Sequence, residues 1–186
     1  MEKLTEHIID EWLVLKCQTG DEKAFSLLVK RWHPKLTMQA YRHTQNIEAA
    51  RDIAQESWHA FIRGLNNLHD PAAFRVWIYR IVSRRSVDWI RKVTRERKVL
   101  SSIEAREELN PVSIEPGSTL LQQLKETLKI LPNNQRIILS MFYLDSIKVR
   151  EMAAILSIPE GTVKSRLFHA REHLKSIYKQ YNYENE

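Results

Sequence analysis

Apolar residues recur at helical spacing along almost the whole chain, and no segment shows the alternation that is typical of a strand. Phe25, Leu28, Val29 and Trp32, for example, fall at positions i, i+3, i+4 and i+7 of one segment. Only four glycines occur in the 186 residues, so little of the chain is punctuated by flexible turns. The sequence therefore predicts an all-α fold.

Capping residues and prolines divide this pattern into helices. Asp21 and Ser118 are suited to the N-cap position, Pro34 is placed to open a helix, and Pro132 to end one. The predicted helices cover residues 8–18, 22–32, 34–43, 47–65, 72–97, 118–131, 134–143, 148–156 and 159–178. The segment 66–71 between the fourth and fifth helices is predicted to be a loop.

The composition changes after the fifth helix. Acidic residues outnumber basic ones over residues 96–117, which also contain Pro111, Pro116 and Gly117. Such a segment is typical of a linker. We therefore expect two small basic helical domains, residues 1–95 and 118–186, joined by an acidic linker over residues 96–117.

The formal net charge of +6 favours a polyanionic partner, most simply a nucleic acid. Cys17 is the single cysteine, so an internal disulfide is excluded. We predict that its side chain is buried and serves as a small apolar residue. No stretch reaches the ~18 to 20 apolar residues that a membrane-spanning helix needs. The expected location is therefore the cytoplasm, without membrane insertion.

Nothing in the sequence resembles a catalytic assembly. The seven histidines lack metal-ligand spacing, no glycine-rich loop could cradle a phosphate, and no nucleophile lies in a recognisable setting. We therefore predict that the chain is not an enzyme and binds neither a metal nor a cofactor.

The C-terminal part has the form of a helix-turn-helix: VREMAAIL, the turn SIP, and a longer helix that opens GTVKSR. The predicted core consists of Met152, Ile155, Ile158, Val163 and Leu167. Several polar residues lie outside it: Lys164, Ser165, Arg166, His169 and Arg171. In this geometry residues 161–171 would reach base edges and phosphates, although a solvated basic face would give the same pattern.

The predicted fifth helix is rich in basic residues: Arg75, Arg80, Arg84, Arg85, Arg91, Lys92, Arg95, Arg97 and Lys98. Its predicted buried arc is Phe74, Ile78, Ile81, Val82 and Trp89. Arg80, Arg84 and Arg91 share another face, with Trp77 at its border. An aromatic ring beside arginines suits unstacked bases, whereas a core tryptophan beside a solvated face is the alternative.

A polar stripe runs along the predicted fourth helix: Asp52, Gln55, Glu56, His59 and Arg63. Apolar residues occupy the opposite face: Ala50, Ile53, Ala54, Trp58 and Phe61. By itself such a stripe indicates only solvated surface.

Taken in order, these segments resemble a bacterial sigma factor of the sigma-70 family, extracytoplasmic-function (ECF) group. GDEKAFSLLVKRWHPKL, ARDIAQESW and AFRVWIYRIVSRRSVDWIRK are similar to the family's region 2. The segment from LPNNQR to FHAREHLK is similar to its region 4. The resemblance covers nearly all of the chain.

The resemblance implies a role for each polar constellation. The residues implied to dock the clamp coiled coil of the RNA polymerase β′ subunit are Asp52, Gln55 and Glu56. Those implied to capture a flipped base of the minus-ten promoter element and to contact the opening strand are Asn66, Asn67, His69, Asp70, Trp77, Tyr79, Arg80 and Arg84. Those implied to read the minus-thirty-five element are Thr162, Lys164, Ser165, Arg166, His169 and Arg171.

The function implied is that of a sigma factor, which directs polymerase core to specific promoters, binds the minus-thirty-five element and melts the minus-ten element. The implied partners are core polymerase, through its β′ clamp and β subunit, promoter DNA and a separate anti-sigma factor. The alternative is a stand-alone helix-turn-helix transcriptional regulator that dimerises on a palindrome. Co-purification with core polymerase would separate the two.

The chain departs from the family pattern at three positions of the helix-turn-helix. Lys148 stands where a serine cap is usual, Ser157 where the turn commonly has glycine, and Pro159 where serine often caps the recognition helix. A serine in a left-handed turn costs on the order of 1 kcal/mol, and proline suits the first position of a helix. We therefore expect the motif to survive.

Overall fold

The computed structural model describes the backbone of residues 2–100 and 131–184 and the side chains of residues 6–96 and 131–177. Every regular element in these ranges is a helix, so the all-α prediction is confirmed. The chain divides into two compact units, and Met1–Arg95 form the body of the first. The predicted helix 118–131 and most of the predicted linker lie outside the described residues, and the boundaries of the two predicted domains stay predictions.

The N-terminal unit contains four helices: α1 (Glu2–Gln18), α2 (Glu22–Thr44), α3 (Ile47–Gly64) and α4 (Phe74–Leu100). Asp21 caps α2 as predicted, because its Oδ1 accepts hydrogen bonds from the backbone N–H groups of Lys23 and Ala24 at 2.9 and 3.0 Å. Two short 3-10 turns, Leu65–Asn67 and Pro71–Ala73, replace the predicted open loop between α3 and α4.

The prediction that Pro34 opens a separate helix is wrong, because α2 continues through it. A proline inside a helix removes one backbone hydrogen bond and costs roughly 3 kcal/mol. Burial on one face offsets this cost, since Leu28, Trp32, Leu36 and Ala40 follow one another at intervals of four residues and are all buried.

Aromatic rings join three of these helices in the core of the unit. The ring of Trp32 on α2 meets that of Phe74 on α4 edge to face, with centroids 5.1 Å apart. Phe61 on α3 contacts Phe74 at 5.5 Å and Trp58 at 5.5 Å in the same way. Edge-to-face pairs add to the burial of such rings, so the cluster fixes α4 against α2 and α3.

The C-terminal unit contains α5 (Asn133–Leu139), which continues as a π-helical turn over Ser140–Leu144, α6 (Val149–Leu156) and α7 (Glu160–Glu184). The predicted helices 134–143, 148–156 and 159–178 are thus confirmed, and α7 is longer than expected. No helix among the described residues is long and apolar enough to cross a membrane.

The three departures at the helix-turn-helix are accommodated. The backbone N–H of Lys148 donates to Glu151 Oε2 at 2.8 Å, and Ser157 adopts the left-handed conformation with φ 55°. The carbonyl of Pro159 accepts from Val163 N at 3.1 Å, so α7 begins directly after the proline. Of the predicted core residues, Met152, Ile155, Val163 and Leu167 are buried and Ile158 is half-buried.

Candidate polymerase and DNA interfaces

The polar stripe on α3 lies on the surface. Asp52, Gln55 and Glu56 are exposed, as are His59 and Arg63 farther along the helix. On the opposite face Ala50, Ile53, Ala54, Trp58 and Phe61 are all buried. The helix therefore presents two carboxylates and an amide to solvent from a rigid, well-packed base.

Arg85 lies at the edge of this stripe, a position that the sequence did not predict. Nη1 of Arg85 on α4 donates to Glu56 Oε2, and the two side chains are 29% and 59% exposed, respectively. Arg85 and Glu56 are far apart in the sequence, so helical spacing gives no sign of this pair. The pair links α4 to α3 at the edge of the stripe, with Glu56 the more exposed of the two side chains.

The arginine face of α4 is partly as predicted. Arg80, Arg84 and Arg91 are exposed, and Phe74, Ile78 and Val82 are buried. Ile81 and Trp89, which were expected in the buried arc, are only half-buried. The helix nevertheless separates a core face from a cationic face that a nucleic-acid backbone could contact.

The prediction that Tyr79 contacts DNA is wrong. Its side chain is 2% exposed, and its ring lies 5.6 Å from that of Trp32. The buried arc of α4 is wider than the apolar pattern indicates, because it extends past Ile78 to Tyr79 and Ser83. Tyr79 therefore belongs to the core of the N-terminal unit.

Trp77 lies at the border of the core, with part of its indole exposed. Its half-buried ring lies 5.6 Å from that of Phe61. The indole also packs against Gly64 at the end of α3, where an added Cβ would lie 2.7 Å from Cζ2 of the ring. An open groove lies beside the indole, and its lining includes Asn67, Leu68, Val76, Trp77 and Arg80.

The segment between α3 and α4 exposes four polar side chains, of which Asn67 lines this groove. Asn66, Asn67, His69 and Asp70 are exposed, whereas Leu65 and Leu68 are buried. Asp70 has a local task as well, because its Oδ1 accepts from Ala72 N at 3.0 Å and caps the second 3-10 turn. The groove thus has amide, aromatic and cationic groups within one small surface.

Most of the residues predicted to read DNA lie on the outer face of α7. Lys164, Ser165, Arg166 and His169 are exposed, and Thr162 is half-buried. Arg171 differs from them, because its guanidinium carbon lies 5.2 Å from the ring centre of Phe142 and 5.6 Å from that of Tyr143. Arg171 therefore packs back onto the π-helical turn.

Sequence reasoning missed Phe168, whose side chain is 60% exposed on α7. Val163, Leu167 and Ala170 are the buried residues of this stretch, and Phe168 lies off their face, next to His169 with ring centres 5.5 Å apart. The signal was available, since Phe168 follows Lys164 by four residues and so shares its side of the helix.

No group of three potential metal ligands occurs within residues 2–100 and 131–184. Burial, with a smaller contribution from the negative charge of Asp21, raises the pKa of the Cys17 thiol to about 11. Cys17 is therefore a protonated, buried side chain at neutral pH, as its isolation in the sequence predicts.

Comparison with known protein families divides the chain in the same way as its geometry. A family model described as "Sigma-70 region 2" matches residues 28–96. A second, described as "Sigma-70, region 4", matches residues 121–174.

Several curated proteins are similar over nearly their whole length. The "ECF RNA polymerase sigma-E factor" of Salmonella typhimurium is 33% identical over 182 residues, which cover 91% of this chain and 94% of that protein. The protein of the same name from Escherichia coli (strain K12) is 32% identical over the same shares. The "RNA polymerase sigma-H factor" of Pseudomonas aeruginosa is 28% identical over 176 residues, and the match covers 88% of this chain and 90% of that protein.

Two solved structures share the fold. The sigma factor RpoE from Bartonella quintana, solved with the anti-sigma factor NepR, has a TM-score of 0.68 at 23% identity and covers 84% of this chain and 98% of its own. CnrH, solved with the cytosolic domain of CnrY, has a TM-score of 0.65 at 22% identity. The match covers 92% of this chain and 98% of CnrH.

Proposed function

The chain belongs to the ECF group of the sigma-70 family, and we propose how its surfaces share the work of a sigma factor. As a member of this family it directs RNA polymerase to specific promoters and initiates transcription there. The family model for region 2 falls on the N-terminal unit and that for region 4 on the helix-turn-helix. We assign polymerase docking and minus-ten melting to residues 1–95, a connecting role to residues 96–117 and minus-thirty-five recognition to residues 118–186.

Core polymerase docks on the stripe formed by Asp52, Gln55 and Glu56. Support comes from the exposure of all three side chains opposite a buried face, because a partner can cover them without disturbing the core. The proposed partner surface is the β′ clamp, and the β subunit is a further proposed contact. Glu56, whose side chain is 59% exposed, can exchange Arg85 for a cation of the partner.

The minus-ten element is opened and held by the groove between the 65–70 segment and α4. Asn67, Trp77 and Arg80 line the groove and would contact an unstacked base. The other exposed residues proposed to contact the base or the strand are Asn66, His69, Asp70 and Arg84. An aromatic ring combined with cations along a groove is the usual way to hold single-stranded DNA. Tyr79 has no part in this surface because it is buried.

The minus-thirty-five element is read by the outer face of α7. Thr162, Lys164, Ser165, Arg166 and His169 supply polar contacts to base edges and phosphates. Phe168 adds an apolar group, which in a major groove suits the methyl group of thymine. Arg171 contributes by holding α7 against the π-helical turn.

Three further proposals complete this assignment. The chain acts in the cytoplasm with the polymerase, catalyses no reaction itself, and has an anti-sigma factor as a separate partner. The complex of the sigma factor RpoE with the anti-sigma factor NepR supports the last proposal. The alternative of a stand-alone regulator is disfavoured, because it gives no role to the family match over residues 28–96.

The observation that carries the proposal is the pair of family matches on the two units. It is tested by adding the purified chain to purified core polymerase and sequencing runoff transcripts from genomic fragments. We expect the chain to co-purify with core and to start transcripts at a defined set of promoters. Promoter binding as a dimer without core, with no new transcripts, would contradict it.

A further inference from the structure

We infer that Gln18, at the end of α1, is a positioning residue for the loop that holds the minus-ten base. The inference rests on the proposed function of the 65–70 segment. Gln18 Nε2 donates one hydrogen bond to the carbonyl of Leu65 at 3.0 Å and another to the carbonyl of Leu68 at 2.8 Å. The amide group thus ties α1 to both ends of a short chain segment.

The two carbonyl groups flank the exposed part of the loop. Leu65 and Leu68 point inward and are buried, while Asn66 and Asn67 between them are exposed. The backbone N–H of Leu68 also donates to the carbonyl of Leu65 at 3.1 Å and closes the turn. With both ends held by one side chain, the segment has little freedom to slide or to unwind.

The tie bears directly on the proposed base site. Asn67 and Leu68 line the groove together with Trp77 and Arg80. A shift of the Leu68 backbone would therefore change the distance between the loop and α4, which is the space a base would occupy. Selectivity among bases depends on the placement of hydrogen-bonding groups to within a few tenths of an ångström, whereas general attraction for the strand does not.

Gln18 is suited to this task by its position and chemistry. It is the last residue of α1, and the chain turns at once, with Gly20 at φ 85° and Gly20 N donating to Cys17 O at 3.0 Å. The side chain is partly buried and carries an –NH2 group with two hydrogens, one for each carbonyl. A shorter or acidic residue could not make both bonds.

The experiment uses holoenzyme assembled from core and full-length chain. Fluorescent single strands carry the non-template minus-ten sequence of a promoter that the chain transcribes, with each of the four bases or an abasic site at each position in turn. The variants are Gln18→Leu, which removes the donor, and Gln18→Glu, which places a carboxylate against two carbonyl oxygens. Thr19→Ala is the matched control, because Thr19 Oγ1 donates only to Lys16 O at the same helix end.

We expect wild-type holoenzyme to prefer one base over the abasic strand at one position. Gln18→Leu should lower that preference about fivefold, as expected for one or two hydrogen bonds, and Gln18→Glu should lower it further. Binding of the abasic strand and of core should stay within about twofold of wild type, and Thr19→Ala should behave as wild type.

Three results would overturn the inference. Undiminished base preference in both Gln18 variants would show that the tie does not position the loop. An equal loss of binding for all strands, abasic included, together with a lower thermal midpoint, would make Gln18 a stabilising residue only. If wild-type holoenzyme shows no base preference at any position, the base-holding role of the loop fails, and the role of Gln18 fails with it.

Discussion

The two proposed DNA-binding surfaces are built in different ways. The surface of the C-terminal unit lies on one helix, α7, whose exposed residues follow from their spacing alone. The groove of the N-terminal unit brings together the end of α1, the end of α3, the 65–70 segment and α4, and its key contacts join residues far apart in the sequence. Most single substitutions on the exposed face of one helix should leave the fold intact. In a composite groove, a substitution that disturbs packing should also disturb function.

The proposed docking stripe, Asp52, Gln55 and Glu56, provides the largest expected effect. It tests whether a surface on a single helix can be altered without disturbing the fold. Asp52→Arg and Glu56→Arg should each lower affinity for core at least about 30-fold. An acidic stripe calls for cations on the partner, and a like charge placed against them costs several kcal/mol. The thermal midpoint should hardly change, since both side chains are exposed. Core pull-down and thermal denaturation measure the two effects.

Glu6→Arg is the control for this reversal, because Glu6 is an exposed acid of the same unit outside the stripe. It should leave core binding unchanged. Normal binding of core by both stripe variants would refute the docking assignment.

Trp77 and Trp58 test the coupling of packing to function in the composite groove. Trp58 is 5% exposed, so Trp58→Ala should cost ~3 to 5 kcal/mol of unfolding free energy. Trp77 is half-buried against Phe61 and Gly64. Trp77→Ala should therefore cost less, about 2 kcal/mol, yet reduce binding to a single-stranded minus-ten sequence more than Trp58→Ala does.

Denaturant unfolding and strand binding, measured well below the unfolding transition, separate the two contributions. Loss of strand binding in proportion to stability for both variants would assign Trp77 to the core alone.

The arginine face of α4 should show the reverse pattern, with function lost and stability kept. Arg80→Ala combined with Arg84→Ala should slow opening of a duplex promoter about tenfold, since each arginine is proposed to supply charge for the separated strand. A promoter with a pre-opened minus-ten bubble should largely restore activity, because melting is no longer required. Permanganate reactivity of unpaired thymines on the two templates reports the effect directly.

Lys30→Ala removes an exposed charge from α2 in the same unit and should open promoters normally. Wild-type opening by the double arginine variant would remove α4 from strand separation.

The contrast between the two surfaces also explains how much the sequence could predict. Helical spacing located nearly every described helix and the exposed faces of α3 and α7, because periodicity reports which side of a helix is buried. It failed at Pro34, where burial of a continuous face outweighed the local cost of proline, and at Tyr79, where Trp32 of another helix covers the ring. Gln18, Gly64 and Arg85 act through tertiary contacts, for which spacing gives no signal.

The smallest expected effects concern Phe168 and Arg171 on α7, which should differ in what they contribute to DNA binding and to stability. Phe168 is exposed and Arg171 packs on Phe142 and Tyr143. Phe168→Ala should therefore leave the thermal midpoint unchanged. It should weaken holoenzyme binding to the upstream element about threefold, mostly at one thymine, because it removes the proposed apolar base contact. Arg171→Ala should instead cost about 0.5 to 1 kcal/mol of stability, the worth of a cation–π contact at a partly exposed site. Its effect on DNA affinity should be the same for every upstream sequence. Competition binding with single-base variants of the upstream element measures the effects on DNA affinity, and thermal denaturation measures the effects on stability. A position-specific loss in Arg171→Ala would return this arginine to the reading face, and unchanged selectivity in Phe168→Ala would leave α7 with polar contacts alone.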